Sequence, residues 1–265
     1  MENHRLIISS GEDEASARIG NCMIDHYPFR RQGNDPLYKH GEFFLLFTKK
    51  RHIYHENLED DIRSLNLNPV DVIFLSRHSS SAGIRSLTVH ATGNFGKADL
   101  GGMENALSMS DPRFMTSSLL ELNRAHPEGF QVTFEATHHG PLLGIPNYFI
   151  EIGTTSNEWN DPDALKSVCE AVMNSSKRTF SNFVGIGGGH YSPKITSYAL
   201  SEDVNIGHII SKHHHDTIAE NMILQALERT PECSGFIMDK KGSRGRVRDL
   251  VKKISESRGL ELIQI

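Results

Sequence analysis

Short runs of apolar, β-favouring residues return along the whole chain, among them "RLIIS" (5–9), "FFLLFT" (43–48), "DVIFLS" (71–76), "SLTVH" (86–90), "FQVTFEA" (130–136), "FIEIG" (149–153), "FVGIG" (183–187), "IGHII" (206–210), "GFIMD" (235–239) and "LELIQ" (260–264). Several are continuous rather than alternating. A strand with one wet face alternates, whereas a strand apolar throughout has to be covered on both faces. Helical spacing fills the intervals. Asp161 can cap and Pro162 can open a helix in which Leu165, Val168, Cys169, Val172 and Met173 form one buried stripe. The pattern predicts an α/β chain built as a three-layer α/β/α sandwich, with residues 1–265 read as a single domain.

No stretch approaches the roughly 18 consecutive apolar residues of a membrane span, and "MENHRLIISSGEDEAS" lacks the layout of a secretory signal, so a cytoplasmic location is expected. The cysteines Cys22, Cys169 and Cys233 are scattered and never in a CxxC pair, which argues against a disulfide framework or a thiolate zinc site. A net charge of −5 disfavours a nucleic-acid partner in general. The charge is uneven, however. Residues 240–258 are rich in Lys and Arg, opposed only by Asp249 and Glu256, and a helix at about 242–258 would bury Val247, Leu250, Val251 and Ile254 while Arg246, Arg248, Lys252 and Lys253 project outward. That basic face is either simply solvated or a binding surface.

Histidine is over-represented, at 15 residues, and imidazole is both a metal ligand and an acid/base near neutral pH. Four histidine-bearing segments sit at or just after predicted strands, where open α/β sheets place their ligand crevice. They are "LSRHSSS" with Arg77 and His78, "LTVHATGN" with His90, "EATHHGP" with His138 and His139, and "GIGGGHYSPK" with His190. His208 lies inside the strand "IGHII". Alternation puts Glu135 on the opposite face of its strand from Val132 and Phe134, so its carboxylate needs a buried partner such as an imidazole or a metal. Gly187, Gly188 and Gly189 match neither a dinucleotide nor a Walker motif; three glycines can bring backbone N–H groups up to an oxyanion or phosphate, with Tyr191 and Lys194 beside them. The plainer reading is a strand-to-helix turn. Metal ligation has no diagnostic local spacing here, so a site would draw three or four ligands from His78, His90, His138, His139, Glu151, His190 and His208. "KHHHD" (212–216) reads as a solvated loop, and the Gly-containing segment 90–114 as a functional one.

Taken together and in this order, "SRHSSSAGIRSLTVHATGN", "EATHHGP", "FIEIGTTSNEWNDPDA" and "GIGGGHYSPK" resemble the archaeal and plant type of D-aminoacyl-tRNA deacylase, from about residue 71 onward and more loosely before it. The resemblance implies hydrolysis of the ester between a D-amino acid and the terminal ribose of tRNA, with zinc as cofactor, a monomeric state, and a mixed, largely parallel sheet of the peptidyl-tRNA hydrolase kind (phosphorylase/hydrolase-like). On that reading His138 and His190 flank the attacking water, and His139 and Glu135 orient them or bind metal, with Glu151 and His208 as further ligands. Arg77 or Lys194 would face the 3′-terminal nucleotide, with His78 and Tyr191 also lining the substrate site. Gly187 to Gly189 would hold the oxyanion, and Arg246, Lys252 and Lys253 would bind tRNA. Two other functions remain open: a zinc peptidase or amidase using Glu135 as general base, and a non-catalytic module that binds tRNA ends.

Overall fold

A computed structural model describes residues 4–80 and 83–265. Ser81 and Ala82, within the first family-like stretch, and residues 1–3 of the N-terminus lie outside the described residues.

The strands, numbered in chain order, divide between two main sheets. The larger runs β2 (Arg30–Arg31), β3 (Leu37–His40), β4 (Phe43–Thr48), β1 (Arg5–Ser10), β5 (Asp71–Ser79), β10 (Asn147–Thr154), β6 (Ser86–His90), β9 (Gln131–Phe134). Its centre, β4-β1-β5-β10, is parallel; β6 turns antiparallel to β10, and β9 follows β6 in parallel. The smaller sheet runs β12 (Val204–Ile210), β11 (Ser181–Ile186), β13 (Cys233–Met238), β14 (Glu261–Gln264), all parallel. A short pair, β7 (Gly93–Asn94) with β8 (Ala106–Leu107), lies inside the 90–114 segment.

Continuous apolar strands have the cause inferred from sequence. On β1, Ile7 packs with Ile19 and Met23 of α1 (Glu14–His26), while its neighbours Leu6 and Ile8 pack on the other face with Leu58 and Ile62 of α2 (Leu58–Ser64). Helix α3 (Pro112–Ala125) bridges the two sheets: Met115, Leu119 and Leu122 share one core with Val89 and Ile152 of the larger sheet and Ile206 and Ile209 of the smaller. α5 (Pro162–Asn174) opens as expected, Asp161 accepting from the Asp163 and Ala164 N–H groups; α4 (Ser156–Trp159) is a short turn before it. Beyond the smaller sheet, α7 (Glu220–Glu228) and α8 (Gly245–Arg258) cover Val184, Ile186, Phe236 and Met238, and α6 (Pro193–Ser201) follows the glycine turn. The division of strands into two sheets has no counterpart in the apolar pattern, because both sheets are covered on both faces.

The chain crosses from one sheet to the other just after β9. Glu135 N–H still donates to Val89 O (3.1 Å) within the larger sheet, but Ala136 N–H donates to His190 O (2.8 Å) and Thr137 N–H to Ile209 O (3.0 Å) of the smaller. The "KHHHD" segment is only partly solvated: His215 is fully buried, with Nε2 bonded to Ile210 O and Nδ1 accepting from Arg244 N–H. The three cysteines are free. Among the described residues, no helix is long and apolar enough to cross a membrane.

Candidate active site

The histidine segments meet over one face of the larger sheet rather than along a common strand-end edge. Strand register is the reason. Ser76 pairs with Glu151, Glu151 with Thr88, Phe149 with His90, and Thr88 with Thr133, so Ser76, His78, Thr88, His90, Phe149, Glu151, Thr133 and Glu135 all point the same way. Further toward β1 that face is covered by α2; over β10, β6 and the end of β9 it is left to the loops carrying His138, His139 and His190. His90 stacks on Phe149 (centroids 5.3 Å), and His139 packs edge-on against the same ring (4.7 Å).

Two buried carboxylates organise the cluster. Glu135 has His190 Nε2 at 2.8 Å, His78 Nδ1 at 3.1 Å and His138 Nε2 at 3.7 Å; Glu151 has His78 Nδ1 at 3.5 Å and His90 Nε2 at 3.7 Å. Despite these approaches, among the described residues neither Glu135 oxygen, nor His78 Nε2, nor His90 Nε2 has a partner in hydrogen-bond geometry. Such orphaned polar atoms are costly unless something else satisfies them.

Three rings are fixed in a single tautomer. His90 Nδ1 donates to Ala91 O (3.1 Å), His138 Nδ1 to Ala136 O (2.9 Å) and His139 Nδ1 to Gly140 O (2.7 Å). A carbonyl only accepts, so Nδ1 carries the proton and a neutral ring leaves its Nε2 lone pair bare. Ligand atoms of His90, His138 and His139 lie within 4.8 Å of one another, as do those of His78, Glu135 and His190, and of His90, Glu135 and Glu151. The donor set of imidazole and carboxylate suits zinc.

Burial and neighbouring charge sort the protonation states. Burial disfavours the imidazolium of His78, but Glu135 and Glu151 override it and raise its pKa to about 10. Burial would raise the carboxyls, yet the histidines hold Glu135 and Glu151 well below the usual range. Burial, with the neighbouring imidazoles adding to it, pushes His138 down to about 3 and His139 well down too. The cluster thus pairs a cationic His78 with bare, neutral His138 and His139.

A cleft of about 310 Å³ opens onto this face, walled by His78, His138, His139, Glu151 and His190 together with Asp13, Arg51, His52, Ser76, Arg77 and Leu100. Tyr191 stands behind it, its OH 3.1 Å from Ser86 Oγ and its ring beside His78 and His190. Asp13 was not visible as a site residue in the sequence. It caps α1 through Oδ1 and accepts from the Arg77 N–H at Oδ2 (3.2 Å), with His52 Nε2 3.8 Å away. Only its capping role had a signal, the Asp-x-x-Ser spacing.

Several expected site residues are placed elsewhere. His208 is fully buried with Nδ1 on Thr137 Oγ1 (3.1 Å) and Nε2 on Ser108 O (3.0 Å), so both ring nitrogens are spent tying the inter-sheet crossing. The glycine turn does not present free donors at Gly187 and Gly189: their N–H groups donate to Ile210 O and Tyr191 O. Gly187 and Gly188 take positive φ, and a Cβ at Gly187 would reach Asp239 and Ser243 at 3.0 Å, so the plainer reading, a close-packed turn, describes them. Lys194 is held by Asp239 (2.7 Å) and does not line the cleft. On α8, Lys252 and Lys253 pair with Glu256 and Glu220, and Arg246 donates to the Asp216 carbonyl.

Residues 66–263 match the family described as D-aminoacyl-tRNA deacylase. The chain belongs to the D-aminoacyl-tRNA deacylase family. Proteins named D-aminoacyl-tRNA deacylase from Thermoplasma acidophilum and Thermococcus kodakarensis are 48% and 36% identical to it, in each case over 98% of this chain and 99% of the relative. The deacylase likeness therefore extends over the N-terminal region as well. A crystal structure of a conserved protein of unknown function superposes with a TM-score of 0.92 at 30% identity, covering 99% of this chain and 95% of that one. The mixed α/β architecture of this deacylase-family member, with its large, mostly parallel sheet, is thus shared with a solved structure.

Proposed function

We propose that this chain hydrolyses the ester joining a D-amino acid to the 3′-terminal ribose of tRNA. The observation that carries the reading is one cluster, in which His78, His138, His139, Glu151 and His190 line a cleft and His90 and Glu135 lie buried against them, with bare imidazole lone pairs and carboxylate oxygens outside hydrogen-bond geometry. Family membership supplies the substrate class. Neither a peptidase nor a passive binding module has an observation in its favour.

Zinc fits the donor set: His90, His138 and His139 would hold it, with Glu151 or Glu135 beside them, and when bound it would lower the pKa of a water from 15.7 to about 7. The protein's own groups do the rest. Glu135 orients His190 through Nε2, leaving Nδ1 to take a proton from the attacking water and pass it to the departing ribose oxygen. His78, cationic between two carboxylates, keeps those carboxylates ionised and fixed. Leu100 and the loop at His52 wall the cleft on the side away from the strands. Arg77 lies on the cleft rim, with Tyr191 behind, while Arg246, Lys252 and Lys253 are proposed to contact the tRNA body. We further propose a single-domain monomer acting in the cytoplasm; the core shared through α3 supports one folding unit.

The test is deacylation of matched D- and L-tyrosyl-tRNA, with and without chelator, by wild type and His138→Ala. Faster loss of the D-ester, abolished by either treatment, is expected. Equal rates on both enantiomers would sink the reading.

A further inference from the structure

The described residues with large apolar side chains in solvent are few: Tyr54, Val70, Leu100, Met103 and Phe180. Of these, Leu100 lines the histidine cleft, Tyr54 follows the cleft-lining Ile53, and Met103 lies three residues beyond Leu100 on the same strip. Leu100 and Arg51 form part of its wall. The Arg51 guanidinium lies 5.7 Å from the centroid of the Tyr54 ring. Gly101 backs directly onto this aromatic: a Cβ there would meet Tyr54 Cδ1 at 3.0 Å and the Ile53 carbonyl oxygen at 1.9 Å.

The surface is held in place rather than loosely draped. Asn94 Nδ2 donates to Gly101 O (2.9 Å) and Met103 O (3.3 Å), Gly102 N–H donates to Glu56 Oε1 (2.8 Å), and Gly140 N–H donates to Leu100 O (3.1 Å). Gly101 and Gly102 both have positive φ, +79° and +78°, which lets the strip approach so closely. The last bond joins the strip to the residue after His139, so the platform and the imidazoles share one backbone connection. Fixing two half-exposed apolar groups and an aromatic in water gives the fold nothing; it prepares a surface for a flat apolar ligand.

We propose that Tyr54, with Arg51, Leu100 and Met103, is the stacking platform for the 3′-terminal adenosine of tRNA. The assignment rests on the deacylase reading and deepens it. Single-stranded RNA ends are held by bases stacked on aromatic rings and guanidinium planes, with nearby cations on the phosphates. Arg51 provides the guanidinium; exposed Lys49 and Lys97, two residues before Arg51 and three before Leu100, are the proposed phosphate contacts. The acids here are Glu56, engaged by the Gly102 N–H, and exposed Asp99 and Glu104. Position separates this surface from an acyl pocket: it is the outer rim, and the amino acid belongs inside, against the imidazoles.

The experiment compares inhibition of D-tyrosyl-tRNA hydrolysis by uncharged tRNA ending in CCA and by the same tRNA lacking its terminal adenosine, for wild type, Tyr54→Ala and Tyr54→Trp. Wild type should lose roughly tenfold in affinity when the adenosine is removed, the range of one stacked base. Tyr54→Ala should bind both tRNAs alike, within about twofold by the same scale, and Tyr54→Trp should restore the difference. An unchanged adenosine effect in Tyr54→Ala, or none in wild type, overturns the platform. Should wild type favour the CCA end yet hydrolyse D- and L-esters equally, the platform stands and the deacylase reading falls.

Discussion

Glu135 and His190 follow strands of different sheets and meet at 2.8 Å, carboxylate oxygen to Nε2, while the backbone of the next residue, Ala136, donates to the His190 carbonyl at 2.8 Å. The contact is therefore imposed from two directions, by the backbone crossing between sheets and by the side chains themselves. Glu135→Gln keeps the shape but removes the charge that His78 and His190 answer. We expect kcat for D-tyrosyl-tRNA to fall by about 10²–10⁴-fold, the span of a general acid–base contribution. Zinc affinity should weaken by about 10–100-fold, as for other groups that orient metal ligands. Metal content and single-turnover rates measure the two separately; a variant with full activity would show that the carboxylate has no part in the chemistry.

Arg5 and Asp71 form a second buried pair, side by side at the N-terminal ends of β1 and β5, away from the end of β5 that carries His78. The guanidinium donates to both Asp71 oxygens, to Ser175 Oγ and to Tyr148 OH, and lies over Phe114 at 3.6 Å. Removing one partner leaves a buried charge unmatched, at a cost of about 3–5 kcal/mol. Asp71→Asn should therefore lower the urea midpoint sharply, whereas Arg5→Met with Asp71→Leu should recover much of the loss. Deacylation per folded molecule should be unchanged in both; a single variant as stable as wild type contradicts the assignment.

How much of this was legible beforehand depended on the kind of order involved. Covered strands, the Asp161 cap and the burial of Glu135 followed from local pattern, because periodicity reports which way a side chain points. The histidines were also traceable, since Ser76-x-His78, Thr88-x-His90, Thr133-x-Glu135 and Phe149-x-Glu151 each put their polar member on one face. What the chain could not display was strand direction. Only the antiparallel entry of β6 beside β10 sets His90 over Phe149. His208 looked like the other ligands, yet its strand belongs to the second sheet and its ring is consumed by Thr137 and Ser108. The glycine turn misled for a related reason: its N–H groups close on backbone carbonyls, Gly187 on Ile210 of the neighbouring strand and Gly189 locally on Tyr191, a pairing that the run of glycines does not display.

Asp111 gives a pH test away from the histidines. Burial, reinforced by the charge of Asp71, raises its pKa from 3.8 to about 7, although its Oδ1 caps α3 by accepting from the Phe114 N–H. Between those two values the folded chain keeps a proton that the unfolded chain has released, so this group's contribution falls as pH rises through the window. Its contribution is full below 3.8 and lost above about 7. Asp111→Asn preserves an acceptor for the cap and cannot ionise. The variant should melt above wild type at pH 8 and the difference should shrink toward pH 4; a gap independent of pH contradicts the assignment.

The basic face of α8 is the remaining quantity to test. Lys252 and Lys253 each have an acidic partner at more than 3 Å, all four side chains well exposed, and such pairs are worth little in water. They can therefore exchange their acids for phosphates at small cost. Reversing Arg246, Lys252 and Lys253 to Glu should raise KM for D-tyrosyl-tRNA and flatten its salt dependence, because each lost phosphate contact removes about 0.7–0.9 from the slope of log affinity against log salt. Hydrolysis of 3′-O-D-tyrosyl-adenosine, which has no tRNA body, should be spared. Parallel losses on both substrates would instead place the damage in the fold, and an unchanged salt slope would move the tRNA body to another surface.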